Sequence, residues 1–404
     1  MNKFIPLSVP NLKGNELKYV TDAIKTEWVS TGGAYIDRFE LEFANYLNVG
    51  SAVACQSGTA GLHLALILSG VEKDHEVIVP TLTFIAAVNP VKYLQAYPIF
   101  MDCDDSLCMD MGKLKEFCQA ECDFIDNKLI NKSTGKHIKA VVVVHVFGNM
   151  ADMPAVMDIA EEYNLKVIED ATEALGTYYL EGRYKGKYAG TIADIGVYSF
   201  NGNKIITTGG GGMMTSSDAD IMKRAKYLST QAKDDDIDFI HNEVGYNYRM
   251  TNLQAALGVA QLEQLEHYIS VKKENYSIYK SCINDKINGL KMLDFRNDIR
   301  ANYWFYSVYI VNMEKYSRGK IIEDLAKNDI QTRPIWKLIH EQKPYLHAQT
   351  YKIEKAFEYY NRVVNIPCST NLSFDEVYKV IEKIKIISEQ KGDGDIGRRD
   401  TVYC

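Results

Sequence analysis

Lys204 sits in the stretch "SFNGNKIITTGGGGMM" (Ser199–Met214), between a Ser-Phe pair and four consecutive glycines. A cation followed by backbone without side chains suits a phosphate cradle, a flexible hinge or the seat of a covalently bound cofactor. The cradle fails on spacing. A P-loop places its glycines before the lysine and Ser or Thr directly after it, whereas Ile205 follows Lys204. "GTAGLH" likewise lacks the three-glycine spacing of a dinucleotide fingerprint. Two other features bear on the choice. "VIED" closes a strand-like run on Asp170, a carboxylate that would cap a helix, bind a metal or pair with a buried cation. "QSGTAG" puts Ser57, Gly58 and Thr59 at a helix start, where free N–H groups and the helix dipole favour an anion; alone, it reads as a plain N-cap. An amine, a strand-end acid and an anion seat together match the needs of pyridoxal phosphate. That cofactor requires a lysine for its aldehyde, an acid to keep its pyridine nitrogen protonated and a site for its phosphate.

The elements that would position these residues alternate in type. "SAVACQSG", "HEVIVP", "YPIFMD", "AVVVVHVFG" and "LKVIED" read as strands. "TAGLHLALILSG", with Leu62, Leu66 and Ile67 on one stripe, "FIAAVNPVKYLQ" and "MPAVMDIAEEYN" read as helices. Val/Ile strands spaced by helices imply a largely parallel sheet covered on both faces. Right-handed crossovers then bring the strand C-termini to one edge, where open α/β folds bind ligands. The polar segment "AECDFIDNKLINKSTGKHIKA" is expected to be a surface excursion. Beyond about Gln261 a long helix through "QLEQLEHYISVKKENYSIYKSCI", a strand at "NYWFYSVYIV" and a helix at "GKIIEDLAKNDI" predict a smaller α+β unit.

The expected division is a large domain over 13–262 and a small domain over 263–390 aided by residues 1–12. The tail 391–404, "GDGDIGRRDTVYC" with its preceding lysine, is expected to be disordered. The 404 residues are 46% hydrophobic and 25% charged, the balance of an ordinary globular protein. A net charge of −7 argues against nucleic-acid and anionic membrane surfaces as partners. "MNKFIPLSVP" lacks an apolar signal segment and no apolar run is long enough to span a bilayer, so a soluble, cytoplasmic protein is expected. Eight scattered cysteines fit a reducing compartment. Cys103, Cys108, Cys118 and Cys122 cluster without C-x-x-C spacing, and no metal site is expected.

Seven segments in order carry a resemblance to a known family: "GNELKYVTDAIKTEWVSTGGAYIDRFE", "CQSGTAGLHLAL", "VIVPTLTFIAAVNPV", "VIEDATEALG", "SFNGNKIITTGGGGMM", "GYNYRMTNLQAALGVAQL" and "TRPIWKLIHEQKPY". The chain resembles the sugar-nucleotide aminotransferases of the DegT/DnrJ/EryC1/StrS family over about residues 5 to 346. The resemblance implies the aspartate aminotransferase-like, fold-type I architecture: an α/β large domain on a mostly parallel seven-stranded sheet, plus a smaller α+β C-terminal domain.

The resemblance also implies roles. Lys204 matches the lysine that holds pyridoxal phosphate and, once displaced, moves the proton of transamination. Asp170 matches the acid paired with the pyridinium nitrogen. Glu173 matches a position near the ring's 3-oxygen, where a shared proton is expected; an ordinary loop carboxylate is the plain alternative. Gly58, Thr59 and Ser199 match the phosphate seat, and Phe84 matches the aromatic residue stacked on the ring. Asn247 matches a residue given to the same phosphate by the neighbouring subunit, so a homodimer with shared sites is implied. The family has an acidic residue within the glycine turn, where this chain has Gly210.

On the substrate side, Trp28, Ser30, Arg249, Arg333 and His340 are candidates. For Trp28 core packing, for Arg249 an interface ion pair, for Arg333 a plain surface position and for His340 simple packing remain open. The resemblance implies amination of a nucleotide-linked 4-keto-6-deoxy sugar with glutamate as donor. "IPLSVPNLKGNELKYV" most resembles the LegC-like subgroup making UDP-4-amino sugars from UDP-2-acetamido-2,6-dideoxy-hexos-4-ulose for nonulosonic-acid or bacillosamine-type glycans. It is also similar to GDP-perosamine synthases, which act on GDP-4-keto-6-deoxymannose. A non-catalytic sugar-nucleotide sensor is the rival from another class, and intact Lys204 and Asp170 speak against it. A dehydratase branch carries histidine at the lysine position, and Lys204 speaks against that too.

Overall fold

The computed structural model describes residues 3–235 and 237–389; the tail expected to be disordered lies outside the described residues. Ten strands lie before residue 216: β1 (Ala52–Cys55), β2 (Glu76–Pro80), β3 (Tyr97–Met101), β4 (Cys122–Ile125), β5 (Lys128–Asn131), β6 (His137–Val144), β7 (Lys166–Asp170), β8 (Tyr178–Tyr179), β9 (Ile195–Ser199) and β10 (Gly212–Thr215). Six follow: β11 (Leu290–Met292), β12 (Ile299–Arg300), β13 (Tyr306–Ile310), β14 (Arg333–Pro334), β15 (Gln349–Tyr351) and β16 (Val363–Ile366). The main sheet has the order β1-β10-β9-β7-β6-β2-β3-β15. From β9 to β15 every neighbour is parallel, while β10 runs antiparallel to both β9 and β1.

The five strands read from the sequence, β1, β2, β3, β6 and β7, join β9 and β10 in a run of seven, the number the resemblance implies, and three more extend the sheet to ten. One is β15, contributed from far down the chain. The other two are β4 and β5, which pair with each other and continue onto β6. They arise in the polar segment read as a surface excursion. Asp126 and Asn127 both take positive φ (48° and 62°), so the two-residue connection suits the right-handed strand twist of a hairpin.

Other elements also depart from the expectation. "FIAAVNPVKYLQ" is split into a short 3₁₀ turn (Ile85–Ala87) and a five-residue helix (Asn89–Tyr93) that opens on Pro90. In "NYWFYSVYIV" pairing starts only at Tyr306, and the residues before it serve the site described below.

The edge that matters is built by register. Asp170 at the end of β7 pairs with Val197, two residues short of Ser199 at the end of β9. Ser199 and Cys55 both pair with Gly212, where β10 begins. The ends of β1, β7 and β9 and the start of β10 therefore meet at one edge. Helix Gly58–Leu68 leaves this edge and packs on β9 and β10. It can dock closely because Gly61 has no side chain; a Cβ there would lie 2.8 Å from Val197 Cγ1.

Helix Asn252–Leu262 packs against helices Glu16–Lys25 and Ala34–Leu47. A capping box starts it: Thr251 takes the N–H of Gln254, and the Gln254 side chain returns to Thr251. Asn252, nearly fully buried, accepts from Tyr35 N at 3.0 Å and donates to Trp28 O at 2.7 Å, fastening the Trp28–Tyr35 turn. In a smaller antiparallel sheet, β11-β13-β16-β14, helix Leu265–Asn284 packs on β11 and against helix Phe374–Glu389. The N-terminal segment joins this unit: Ile5 exchanges hydrogen bonds with Asp329 and Gln331, and Leu7 O accepts from Cys368 N.

Gly258 marks the tightest contact of helix Asn252–Leu262. A Cβ there would meet Phe39 Cε1 at 2.7 Å and Thr208 Cγ2 at 2.9 Å, and Phe39 is fully buried. An alanine normally favours a helix over glycine by about 1 kcal/mol. Gly258→Ala should nevertheless destabilise, by about 1–3 kcal/mol, because overpacking wins; a higher denaturant midpoint than wild type would contradict this packing.

Candidate active site

A cavity of about 370 Å³ opens at the sheet edge. Ser57, Gly58 and Thr59 line it from the helix start, Asp170, Thr172 and Glu173 from the turn after β7, and Ser199 from the end of β9. Lys204 enters from the β9–β10 connection together with Asn201, Asn203, Gly210 and Gly211. Thr83 and Phe84 come from the segment after β2, and Trp304 and Trp336 from the C-terminal half.

The anion seat is a helix end with little bulk around it. Ser57 caps the helix by accepting Ala60 N–H at 3.1 Å. Gly58 opens the first turn, where N–H groups have no intrahelical acceptor. A Cβ on Gly58 would sit 2.8 Å from Ser199 Cβ, and one on Gly212 would sit 2.7 Å from the Ser57 carbonyl carbon. Backbone and ligand can therefore approach closely here.

Three carboxylates lie within four residues of one another, and their surroundings differ. Glu169, fully buried, accepts four donors: Ile192 and Ala193 N–H on Oε1, Gly190 N–H on Oε2 (each 2.7 Å), and His145 Nε2 on Oε2 at 2.9 Å. His145 Nδ1 accepts Ala151 N–H, so its ring proton lies on Nε2. Asp170, also buried, takes Thr172 N–H at 3.1 Å on Oδ1. Burial pushes its carboxyl above the usual aspartate range, against the hydrogen bonds to Thr172 and the charge of Lys204.

Glu173 Oε2 accepts Phe147 N–H at 2.9 Å, and Oε1 lies 3.5 Å from Lys204 Nζ. Burial pushes its carboxyl up to about 7, with the nearby Lys204 charge opposing. A strand-end acid that lacks a full donor set, an amine within reach and an open helix end fit the ring nitrogen, aldehyde and phosphate of pyridoxal phosphate.

The wall opposite is aromatic. The Lys204 amine lies 4.2 Å from the Trp304 ring centroid. Phe147 packs on Trp304, Phe305 and Trp336 with a backbone in the left-handed region (φ 58°, ψ 15°). That conformation aims its N–H at Glu173. Asn302, fully buried, locks the junction: its Nδ2 donates to Glu173 O and Leu175 O, and its Oδ1 accepts Trp304 N–H.

Of the residues singled out from sequence, Gly58, Thr59, Phe84, Asp170, Glu173, Ser199 and Lys204 line this one cavity. Asn247, Trp28, Ser30, Arg249, Arg333 and His340 do not. Asn247 is exposed on a segment bridged to Thr230. Trp28 is 61% exposed, and Ser30 O accepts Asn252 N–H. Arg249 carries a buried Nε with no hydrogen-bond partner among the described residues. Arg333 is exposed on β14. His340 Nδ1 is 2.6 Å from Thr81 Oγ1, with its ring against Phe100 and Phe357.

Trp304, Trp336, Asn201, Asn203 and Thr83 also line the cavity and were not singled out. Asn201 and Asn203 closely precede Lys204 in the sequence, where position gives a signal. Trp304 gives no local signal, since its contact partner lies about a hundred residues away.

Comparison with known proteins adds an independent line. A model of the DegT/DnrJ/EryC1/StrS aminotransferase family matches residues 10–385. The chain is 38% identical to GDP-perosamine synthase of Escherichia coli O157:H7 over 95% of its own length and 98% of the relative's. It is 28% identical to UDP-4-amino-4,6-dideoxy-N-acetyl-beta-L-altrosamine transaminase of Campylobacter jejuni, covering 94% and 98%. Its structure is similar to that of the aminotransferase TlmJ from Streptoalloteichus hindustanus, with a TM-score of 0.85 at 25% identity over 95% and 99% of the two chains.

The raised Glu173 carboxyl has a measurable sign. Its pKa in the folded protein, about 7, lies above the ordinary 4.5, so folding takes up a proton between these values. The stability it contributes is complete below about pH 4.5 and is lost as pH rises through 7, a span worth roughly 3 kcal/mol. Cofactor-free Glu173→Gln should lack this slope, so its denaturant midpoint should gain on wild type from pH 5 to pH 8. Parallel profiles would show that Glu173 is ionised throughout.

Proposed function

Because the chain belongs to the DegT/DnrJ/EryC1/StrS aminotransferase family, we propose that it transfers an amino group from glutamate to the C4 ketone of a GDP-linked 4-keto-6-deoxy sugar, GDP-4-keto-6-deoxymannose. At the coarser level it is a pyridoxal-phosphate-dependent sugar-nucleotide aminotransferase of amino-sugar biosynthesis. The observation that supports the chemistry is one cavity holding an amine, a strand-end acid and an open helix end: Lys204, Asp170 and Gly58–Thr59. The choice of nucleotide rests on identity, 38% to the GDP-perosamine synthase against 28% to the UDP-linked transaminase. The UDP-linked substrate suggested by the N-terminal segment is the weaker reading on this ground.

When bound, pyridoxal phosphate supplies an aldehyde for the amino group and an aromatic ring that accepts the electrons of the carbanion. The chain's residues do the rest. Asp170 holds the proton at the ring nitrogen. Gly58, Thr59 and Ser199 take the phosphate through helix N–H groups and a hydroxyl. Glu173 shares a proton with the ring's 3-oxygen, consistent with a carboxyl pushed up to about 7. Phe84, 55% exposed in the single chain, offers a face for the ring. Lys204 Nζ would hold the cofactor's aldehyde and, once free, would move the proton at C4 of the sugar.

Asn247, outside its own chain's cavity, reaches the phosphate of a partner subunit in a homodimer. Arg249, whose buried Nε lacks a partner among the described residues, lies on the same segment and completes its bonding there. Trp28, Ser30, Arg333 and His340 form the outer, substrate-side set.

Three experiments test this. Purified protein with pyridoxal phosphate and glutamate should aminate GDP-4-keto-6-deoxymannose in preference to the UDP-linked 4-keto sugar, read by mass spectrometry of the 4-amino product; the reverse preference restores the UDP reading. Lys204→Ala should lose the visible band and fall in turnover by on the order of 10⁴-fold or more. Mixing inactive Lys204→Ala and Asn247→Asp subunits should regenerate one intact site per mixed dimer, up to about a quarter of wild-type activity. No recovery in exchanging subunits would place Asn247 outside the partner's site.

A further inference from the structure

Trp304 is fixed at each of its polar atoms. Its N–H donates to Asn302 Oδ1 at 2.9 Å, its carbonyl accepts Lys272 Nζ at 3.0 Å, and its indole Nε1–H donates to Asn203 O at 2.8 Å. Lys272 is almost completely buried and spans the carbonyls of Trp304 and Cys368. Burial pushes its amine below the usual lysine range. Burying a lysine costs free energy, and what this one holds is the backbone of Trp304. The indole is itself 2% exposed, with Phe305 packed edge-on at 4.2 Å between centroids. A side chain so constrained presents one rigid face.

That face looks at Lys204. The amine sits 4.2 Å from the ring centroid, within the range of a cation–π contact. Its carboxylate neighbour, Glu173, is at the long distance of 3.5 Å. The indole N–H ends on Asn203, the residue immediately before Lys204, so ring and lysine loop are also latched to each other. We propose that Trp304 is a positioning residue for the Lys204 amine, holding it over a fixed aromatic face so that it reaches the carbon where the proton is moved. This rests on the role given to Lys204 above, and its failure is separable from failure of that role. Lys204→Ala tests the lysine, whereas variants at 304 leave the lysine in place.

Trp304→Leu removes the face and should lower kcat by on the order of tenfold with KM for the sugar nucleotide nearly unchanged, because the lost contact orients the amine rather than the substrate. Trp304→Phe keeps a face without the N–H latch and should recover most of the loss. A kcat for Trp304→Leu within twofold of wild type, or Trp304→Phe as impaired as Trp304→Leu, overturns the proposal. A second measurement needs neither turnover nor cofactor. The chain has three tryptophans, so Trp28→Phe with Trp336→Phe leaves Trp304 as the one tryptophan, read by excitation at the red edge where tyrosine does not absorb. In that cofactor-free protein, Lys204→Met should raise the emission by removing a quenching ammonium. Unchanged emission overturns the contact, including where Trp304→Leu fails to fold.

Discussion

A carboxylate taken out of water must find donors or keep its proton, and the turn from Glu169 to Glu173 is organised by that requirement. Glu169 has four donors, three of them backbone N–H groups of the 190–193 loop. Its role is structural: both carboxylate oxygens are tied to the 190–193 loop and to His145. Asp170, the next residue on the same strand, points to the other face and meets the cavity with Thr172 N–H as its backbone donor. Glu173 has one N–H and a distant amine. The difference in donors separates the residue that holds the fold from the two that line the cavity. Alternation along one strand places the two kinds side by side.

The donors themselves are held in unusual ways. Phe147 adopts a left-handed backbone, uncommon for an aromatic residue, and its N–H reaches Glu173. Gly148 beside it also has positive φ (91°), and a side chain there would collide with Asn302 Oδ1. Asn302 in turn holds the carbonyls of Glu173 and Leu175. Strain after β6 is thus tied to a polar hub from the C-terminal half, and the acid, the aromatic wall and the hub form one bonded unit.

The chemistry of the site was legible where it depends on residue type at an element's end. Lys204 before four glycines, Asp170 closing an apolar strand and Ser57–Thr59 opening a helix each carry a local signal, and the cavity contains all three. The parallel centre of the sheet was legible from unbroken Val/Ile runs. The hairpin β4–β5 was not, because Asp126-Asn127 in a polar context lacks the apolar alternation that marks strands. Trp304 was not, because "NYWFY" satisfies a strand pattern equally well. Asn252 and Asn302 act by answering buried backbone groups, and nothing local distinguishes such an asparagine from one in a loop. Asn247, Arg249, Trp28, Ser30, Arg333 and His340 do not line the cavity, and sequence order gives no distance to it.

The order in which strands enter the main sheet has a consequence for synthesis. β3 gains its outer neighbour only when Gln349–Tyr351 is available, and Ile5 gains its partner only at Asp329–Gln331. A nascent chain emerging through residue 300 would therefore carry a bare parallel edge and an unpaired leading segment. Such edges recruit other chains. The late-arriving strand works as a seal on an early-made sheet, so loss of the last quarter of the protein would expose the interior of the first.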